Sequence, residues 1–358
     1  MAFLCMIICT GMAHAQSPEP LVVPDITLPP RAGSSSPLPV STAGDSGTPE
    51  ELPPDGTTRG HYKAKTWIFE GEYLLLATRG LPQTYAISGT VPQLGPVGGT
   101  QTVPSGYENG FRAGIGWISP NSGIETLFRY TYYSNKSDAF SSSPTTNPPP
   151  LIPPANIYPT LTVPGLVTAV NAASATSTVA FNLGDIELGK TADITESFAL
   201  RGFAGARFAN MNQSLMATYT GGDVDTDTVN RKITFNGGGL RLGGSADYTI
   251  AGGWGIRLNG SASLITGAFA GSQTEVANNA YILSISDKYI GLVPMADLGL
   301  ALRYRTGGWN LSIGYEFQNW FNMLQGFNIA DDTNPAKLIR DIGNIGFDGM
   351  AVRAEYVW

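Results

Sequence analysis

The sequence predicts an all-β chain, a transmembrane antiparallel up-and-down β-barrel of about ten strands, with twelve as the alternative. Three observations lead there. Strand-length segments place bulky apolar residues on one parity and charged residues on the other, as side chains of period two require. Tight turns alternate along the chain with longer connections. The last segment, GFDGMAVRAEYVW, sets Met350, Val352, Ala354, Tyr356 and Trp358 on one face against Arg353 and Glu355, so the chain ends inside an aromatic strand.

The N-terminus, MAFLCMIICTGMAHAQS, is apolar from Ala2 to Ala13 and then reads Ala13-His14-Ala15, a small-x-small cleavage pattern. Residues 1–15 are therefore expected to be a cleaved signal peptide, being far shorter than the ~20 residues of a helical span. No Lys or Arg precedes the apolar run, so the native start is expected to lie further upstream. Cys5 and Cys9 both lie inside it, which leaves the mature chain without a disulfide, a thiolate metal site or a Cys nucleophile. His14 departs with the signal and His61 precedes the first strand. Ser-His hydrolysis and most zinc sites need a His in a structured cleft, so no enzyme, cofactor or metal site is expected. A net charge of -7 speaks against a nucleic-acid partner. Residues 16–60 (QSPEPLVVPDITLPPRAGSSSPLPV…) are dense in Pro, Ser, Gly and Thr and are expected to form a disordered periplasmic linker ahead of a barrel over 65–358.

The strands follow in order. WIFEGEYLLLA sets Trp67, Phe69, Tyr73, Leu75 and Ala77 against Glu70 and Glu72. GFRAGIGWI sets Phe111, Ala113, Ile115 and Trp117 against Arg112, and GIETLFRYTYY sets Ile124, Phe128, Tyr130 and Tyr132 against Glu125, Leu127 and Arg129. LRLGGSADYTI opposes Leu240, Leu242, Ala246, Tyr248 and Ile250 to Arg241 and Asp247, and WGIRLNGSASL opposes Trp254, Ile256, Leu258, Ala262 and Leu264 to Arg257, Asn259 and Ser261. ADLGLALRYR and WNLSIGYEF repeat the pattern, with Asp297, Arg303, Arg305, Asn310 and Glu316 on the polar parity. Residues 197–220 switch phase near Asn210, which reads as one long bulged strand or as two strands. A soluble sandwich would share the alternation but would bury its largest residues mid-strand. Here Trp67, Trp117, Trp254, Tyr304, Trp309, Tyr356 and Trp358 sit at or near strand ends, where an interfacial girdle belongs.

Short links are expected at 119–122, 191–196, 251–253 and 306–308, and longer connections at about 78–107, 135–177, 221–230, 276–287 and 326–346. That asymmetry is the one of barrels with short periplasmic turns and long outer loops, and it leaves both termini on the periplasmic side. Ser141 to Gly165 is too rich in Pro for a ladder and is expected to be loop. DVDTDTVN brings Asp223, Asp225 and Asp227 together, but Thr228 and Thr234 stand where a helix-loop-helix calcium site needs Gly and Glu, so a solvated loop tip is expected. Gly237, Gly238 and Gly239 read as bulges or tight barrel bends, since no helix follows to make a phosphate loop.

LRGFAGARFANMNQSLMATYTG, FNGGGLRLGGSADYTIAGGWGIRLNGSASLITG and LSIGYEFQNWFN resemble the Legionella-type major outer-membrane-protein family of pore-forming barrels. The resemblance is fullest over about 197–325 and extends from about 65 to the end. WIFEGEYLLL is also similar to the usual first strand of planctomycete outer-membrane barrels. The resemblance implies the cell outer membrane as location, its lipid as surroundings, and recognition of the C-terminal strand by the barrel-assembly machinery. The predicted lumen carries Arg112, Arg129, Arg201, Arg207, Arg241, Arg257, Arg303 and Arg353 with Glu125, Asp185, Glu187, Asp247, Asp297, Glu316 and Glu355. Such charges bias ion selectivity in a pore, or pair with one another and fill a small barrel. The leading expectation is a porin-like channel for passive diffusion of small hydrophilic solutes or ions through a water-filled, charge-lined lumen. The alternative is a non-conducting structural or adhesive barrel that displays its loops, and a soluble secreted β-domain is third.

Overall fold

A computed structural model describes residues 66–81, 83–90, 97–142, 156–329 and 338–358. The signal peptide, the 16–60 linker, Cys5, Cys9, His14 and His61 lie outside the described residues. Parts of the three longest expected connections do too. Among the described residues the strands are β1 (Thr66–Arg79), β2 (Thr84–Thr90), β3 (Val97–Thr102), β4 (Tyr107–Ile118), β5 (Ile124–Ser142), β6 (Asn156–Pro159), β7 (Ala172–Thr195), β8 (Phe198–Gly221), β9 (Val224–Ala251), β10 (Trp254–Ala277), β11 (Ala280–Thr306), β12 (Trp309–Ile329) and β13 (Leu338–Val357).

Ten of these close into an antiparallel barrel, β1–β4–β5–β7–β8–β9–β10–β11–β12–β13, with β13 returning to β1. The other three form a small sheet in the order β3–β2–β6. Following paired residues once round the barrel, from Trp67 to Trp117, Thr126, Leu188, Ala204, Leu242, Ala262, Ala296, Asn319 and Gly346, returns to β1 at Arg79, twelve residues above the start. With ordinary strand spacings that stagger tilts the strands about 40° from the barrel axis.

At one end the turns are short: 119–123, 196–197, 252–253 and 307–308. Gly252 and Gly253 both hold positive φ, the geometry a two-residue hairpin turn demands. The other end departs from expectation. Residues 221–230 and 276–287 are not long loops. They belong to β8–β9 and β10–β11 hairpins closed by 222–223 and 278–279, and Asn278 and Asn279 supply the positive φ at the second. The length expected in loops is in the strands, since β9 and β11 run for 28 and 27 residues and rise together with β8 and β10, paired up to the hairpin turns, as a tall wall.

The phase switch near Asn210 has a different cause from the one expected. β8 is one strand, paired without a bulge between Phe198 and Thr220. Its odd residues face inward throughout. Below Asn210 the inward set carries Arg201 and Arg207, and the outward set Leu200, Ala204, Ala206 and Phe208. Above it the inward set becomes Met211, Leu215, Ala217 and Tyr219, and the outward set Asn212, Ser214 and Thr218. Inside and outside exchange polarity along an unbroken strand. Gly237–Gly239 likewise carry no register shift and so are not a bulge. A Cβ on Gly239 would stand 1.9 Å from the Leu264 carbonyl oxygen, so only glycine lets β10 approach so closely.

The β3–β2–β6 sheet packs inside the tall end. Tyr85, Ala86, Val103 and Ile157 are buried with Leu215, Tyr219, Val224 and Val229 of the barrel wall, and the Tyr219 hydroxyl donates to the Tyr85 carbonyl at 2.6 Å.

Candidate luminal site

Inward-facing residues of the short-turn half build a continuous ionic layer. Arg112 donates to Glu72 at 2.7 Å and to both oxygens of Glu316 at 3.1 Å, and Arg353 reaches Glu72 at 3.1 Å. Arg129 is held by Glu70 and, at 2.9 Å, by Glu187. Arg201 bonds Glu125 at 2.9 Å and Glu187 at 3.2 Å. Arg207 forks onto Asp185 at 2.7 and 2.9 Å and bonds Asp297 at 2.8 Å, while Arg241 joins the same Asp185 at 2.7 Å. Nearer the turns, Asp247 accepts from Arg257 at 2.8 Å and forms an ion pair with Arg303 at 2.9 Å, and Asn310 donates to Glu355 at 3.4 Å.

Every luminal residue expected from the sequence lies in this layer. Glu70 and Glu72 were legible as the polar parity of β1, yet were not counted among the lumen residues. With them, acids and arginines nearly balance, which is what lets so many charges sit out of bulk water. The charges pair with one another, and a cavity of about 90 Å³ lies among them.

Directly above lies a layer the sequence reading missed. Tyr133, Phe181, Trp320 and Phe347 are fully buried inside the barrel with Leu74, Leu76, Met211, Phe235, Phe269 and Ile345. Phe181 stands 4.8 Å from Phe347, 5.3 Å from Tyr133 and 5.6 Å from Trp320, ring centre to ring centre, and edge and tilted contacts of this kind stabilise beyond the area they bury. Phe181 and Phe347 also bound the cavity beneath. The signal was available on β8, where the inward parity turns apolar, but the same alternation reads equally as an outer face.

The outer wall has two borders. At the short-turn end Trp67 meets Trp117 at 6.0 Å, Trp254 meets Tyr304 at 4.9 Å and Trp309 meets Tyr356 at 4.9 Å, all outward. Trp358 is exposed beside them, its amide and carbonyl paired with Trp67 at 2.9 Å. The expected girdle residues thus share one level. At the other border Asn182, Asn210 and Asn236 stand opposite one another on β7, β8 and β9, joined side chain to side chain at 3.3 and 2.6 Å. Tyr130 donates to Asn182 at 2.6 Å and Tyr73 donates to Asn109. Between the borders the outward residues are apolar, as in Trp254, Ile256, Leu258, Ala262 and Leu264 of β10. That stretch, at the strand rise and tilt above, is about 25 Å tall, the height of the lipid-facing band of outer-membrane barrels.

The acidic triplet separates. Asp223 is exposed and accepts the Thr168 hydroxyl and, at 3.0 Å, the Thr168 and Ala169 amides, and the hydroxyl first and the amides with it pull its carboxyl below the ordinary range. Asp225 is exposed, and Asp227 turns inward and is buried. Among the described residues no group of three or more His, Cys, Asp or Glu is placed to hold a metal ion.

The model of a family described as "Legionella pneumophila major outer membrane protein precursor" matches residues 62–358. No curated protein matches the chain. Among solved structures the chain is similar to the outer membrane protease OmpT of Escherichia coli, at 11% identity over 82% of this chain and 97% of that one, with a TM-score of 0.44. It is also similar to a FadL homologue of Pseudomonas aeruginosa (7% identity, 82% and 90% covered, TM-score 0.23) and to the toluene transporter TodX of P. putida (7%, 83% and 90%, TM-score 0.28). Overlaps this loose carry no argument about activity.

Proposed function

Because the chain belongs to the Legionella pneumophila major outer membrane protein family and so is an outer-membrane barrel, we propose that it works there as a sealed barrel. In this reading the protein anchors in the envelope and carries a tall, polar-walled projection above the membrane. It is a structural or display protein, and not an enzyme. One observation carries this reading: the lumen is crossed by the buried Tyr133, Phe181, Trp320 and Phe347 layer, stacked on an ionic layer with its charges paired. A ten-stranded barrel is only slightly wider than the eight-stranded size that side chains fill, and these side chains fill it. Trp67, Trp117, Trp254, Tyr304, Trp309, Tyr356 and Trp358 would then mark the periplasmic edge of the lipid, with the Asn182–Asn210–Asn236 ladder at the outer edge.

The second reading is the porin-like one, passive diffusion of small hydrophilic solutes or ions. What favours it is the charged lower lumen with its cavity, and it requires the aromatic layer to move aside. Single-channel recording of the refolded mature chain in a planar bilayer separates the two. Silence from an inserted barrel supports the sealed reading, and discrete steps that scale with salt support diffusion.

A further inference from the structure

Far above the ionic layer, in the wall that projects beyond the apolar band, two carboxylates are buried without a countercharge among the described residues. Asp227 of β9 and Glu275 of β10 both face inward and are 0% exposed. Asp227 pairs across the ladder with Ala277, and Glu275 with Val229, so the two side chains are diagonal neighbours on one inner face. Among the described residues neither Asp227 carboxylate oxygen has a hydrogen-bond partner in good geometry. Glu275 is held by one donor, the Val163 amide, at 2.9 and 3.2 Å.

Among the described residues the groups around them supply no cation. Opposite Asp227 on β8 stands Tyr219, whose hydroxyl is committed to the Tyr85 carbonyl. The nearest inward cation on β9 is Arg231, four residues down the strand and bonded to Gln273 at 3.1 Å, with Asp287 of β11 at a similar depth. The Val163 segment offers its amide, and the β3–β2–β6 sheet contributes apolar side chains here. An unpaired buried carboxylate is costly, and two side by side cost more.

We propose that Asp227 and Glu275 bind one hard divalent cation, which ties β9 and β10 to the Val163 segment inside the mouth of the barrel. The charge of the pair matches a divalent ion. The all-oxygen ligand set suits a calcium-like ion over a transition metal, with water and main-chain carbonyls completing the shell. Asp227, out of place in a solvated loop tip, gains a role once its partner is sought across the ladder and not along the chain. Consistent with a site short of positive charge, burial pushes Asp227 up to about 6, opposed by the Thr228 amide, and burial with the Asp227 charge pushes Glu275 up to about 7.

The test is thermal unfolding and calorimetric titration of the refolded mature chain with CaCl2, against EDTA, at pH 8. Calcium is expected to bind at one site in the sub-millimolar to millimolar range of extracellular sites and to raise Tm by a few degrees. D227N should abolish both responses, while its own Tm in EDTA equals or exceeds that of the native chain, because the repulsion is gone. That second readout separates loss of a ligand from loss of the fold. A native Tm indifferent to Ca²⁺ and Mg²⁺ at pH 8 overturns the proposal, and the pair then shares a proton instead. A calcium response that survives in D227N and E275Q overturns it as well.

Discussion

Phe347 is the point at which the sealed-lumen reading is most exposed to test. Its ring is 0% exposed and lies 4.8 Å from Phe181, 5.4 Å from Tyr133 and 6.5 Å from Trp320. F347A removes three ring contacts and leaves a cavity the rigid barrel wall cannot collapse into. The expected cost is about 3–5 kcal/mol, seen as a fall of on the order of 1–2 M in the urea midpoint. F181A and W320A should each cost a similar amount. Because the three rings touch, the triple variant should lose less than the sum. Each truncation opens on the order of 100 Å³, as much as the whole cavity beneath, which is about 90 Å³. In a planar bilayer the native barrel should be silent, and F181A/W320A/F347A should show discrete steps that grow with salt. If the native chain already conducts with the same unit step as the triple variant, the aromatic layer does not seal the lumen and the reasoning fails.

Four further outcomes are expected. R207Q leaves Asp185 and Asp297 with Arg241 as their one shared cation and should destabilise by no more than the about 3–5 kcal/mol of a broken buried pair, with the loss read in urea unfolding. G239V drives a side chain into the Leu264 carbonyl and should reduce the yield of heat-resistant folded barrel on electrophoresis, whereas a normal yield would show that β10 can retreat. Brominated lipid should quench outward Trp254 and Trp309 strongly and luminal Trp320 weakly, measured in single-Trp variants; equal quenching would contradict the assigned faces. In EDTA, stability should fall as pH rises. Asp227 at about 6 and Glu275 at about 7 lie above their ordinary values, so the folded chain holds protons the unfolded chain releases. Their contribution is whole below about pH 4 and is lost as pH passes through 6 and 7. D227N/E275Q should flatten that slope in a pH series of thermal melts.

The family match extends from residue 62 to 358, and over that range most of the architecture is local and therefore legible. A strand buried between lipid and a polar interior must alternate, so Trp67 to Ala77 or Trp254 to Leu264 reveals its faces with no knowledge of its neighbours. Gly252-Gly253 is a turn because few other residues hold two successive positive φ values. The inward Arg and Glu residues could be assigned for the same reason, parity being a property of one strand.

What fills the barrel is not local, and there the reading went astray. The inward residues Met211, Leu215, Ala217 and Tyr219 alternate just as an outward apolar face does, so sequence alone suggested a bulge or a second strand near Asn210. Only closure of the ring shows that both halves of β8 keep one inner face, and that apolar side chains from β5, β7, β12 and β13 meet across it. The pairing of Arg207 with both Asp185 and Asp297, and the isolation of Asp227 beside Glu275, depend likewise on strands far apart in the chain. Sequence by itself determined the membrane-level parts of the barrel strands, their two faces and the tight turns at the short-turn end, because side-chain alternation and backbone φ act within a few residues. Tertiary structure alone decided which side chains meet inside the barrel, because that depends on which distant residues share the same interior volume.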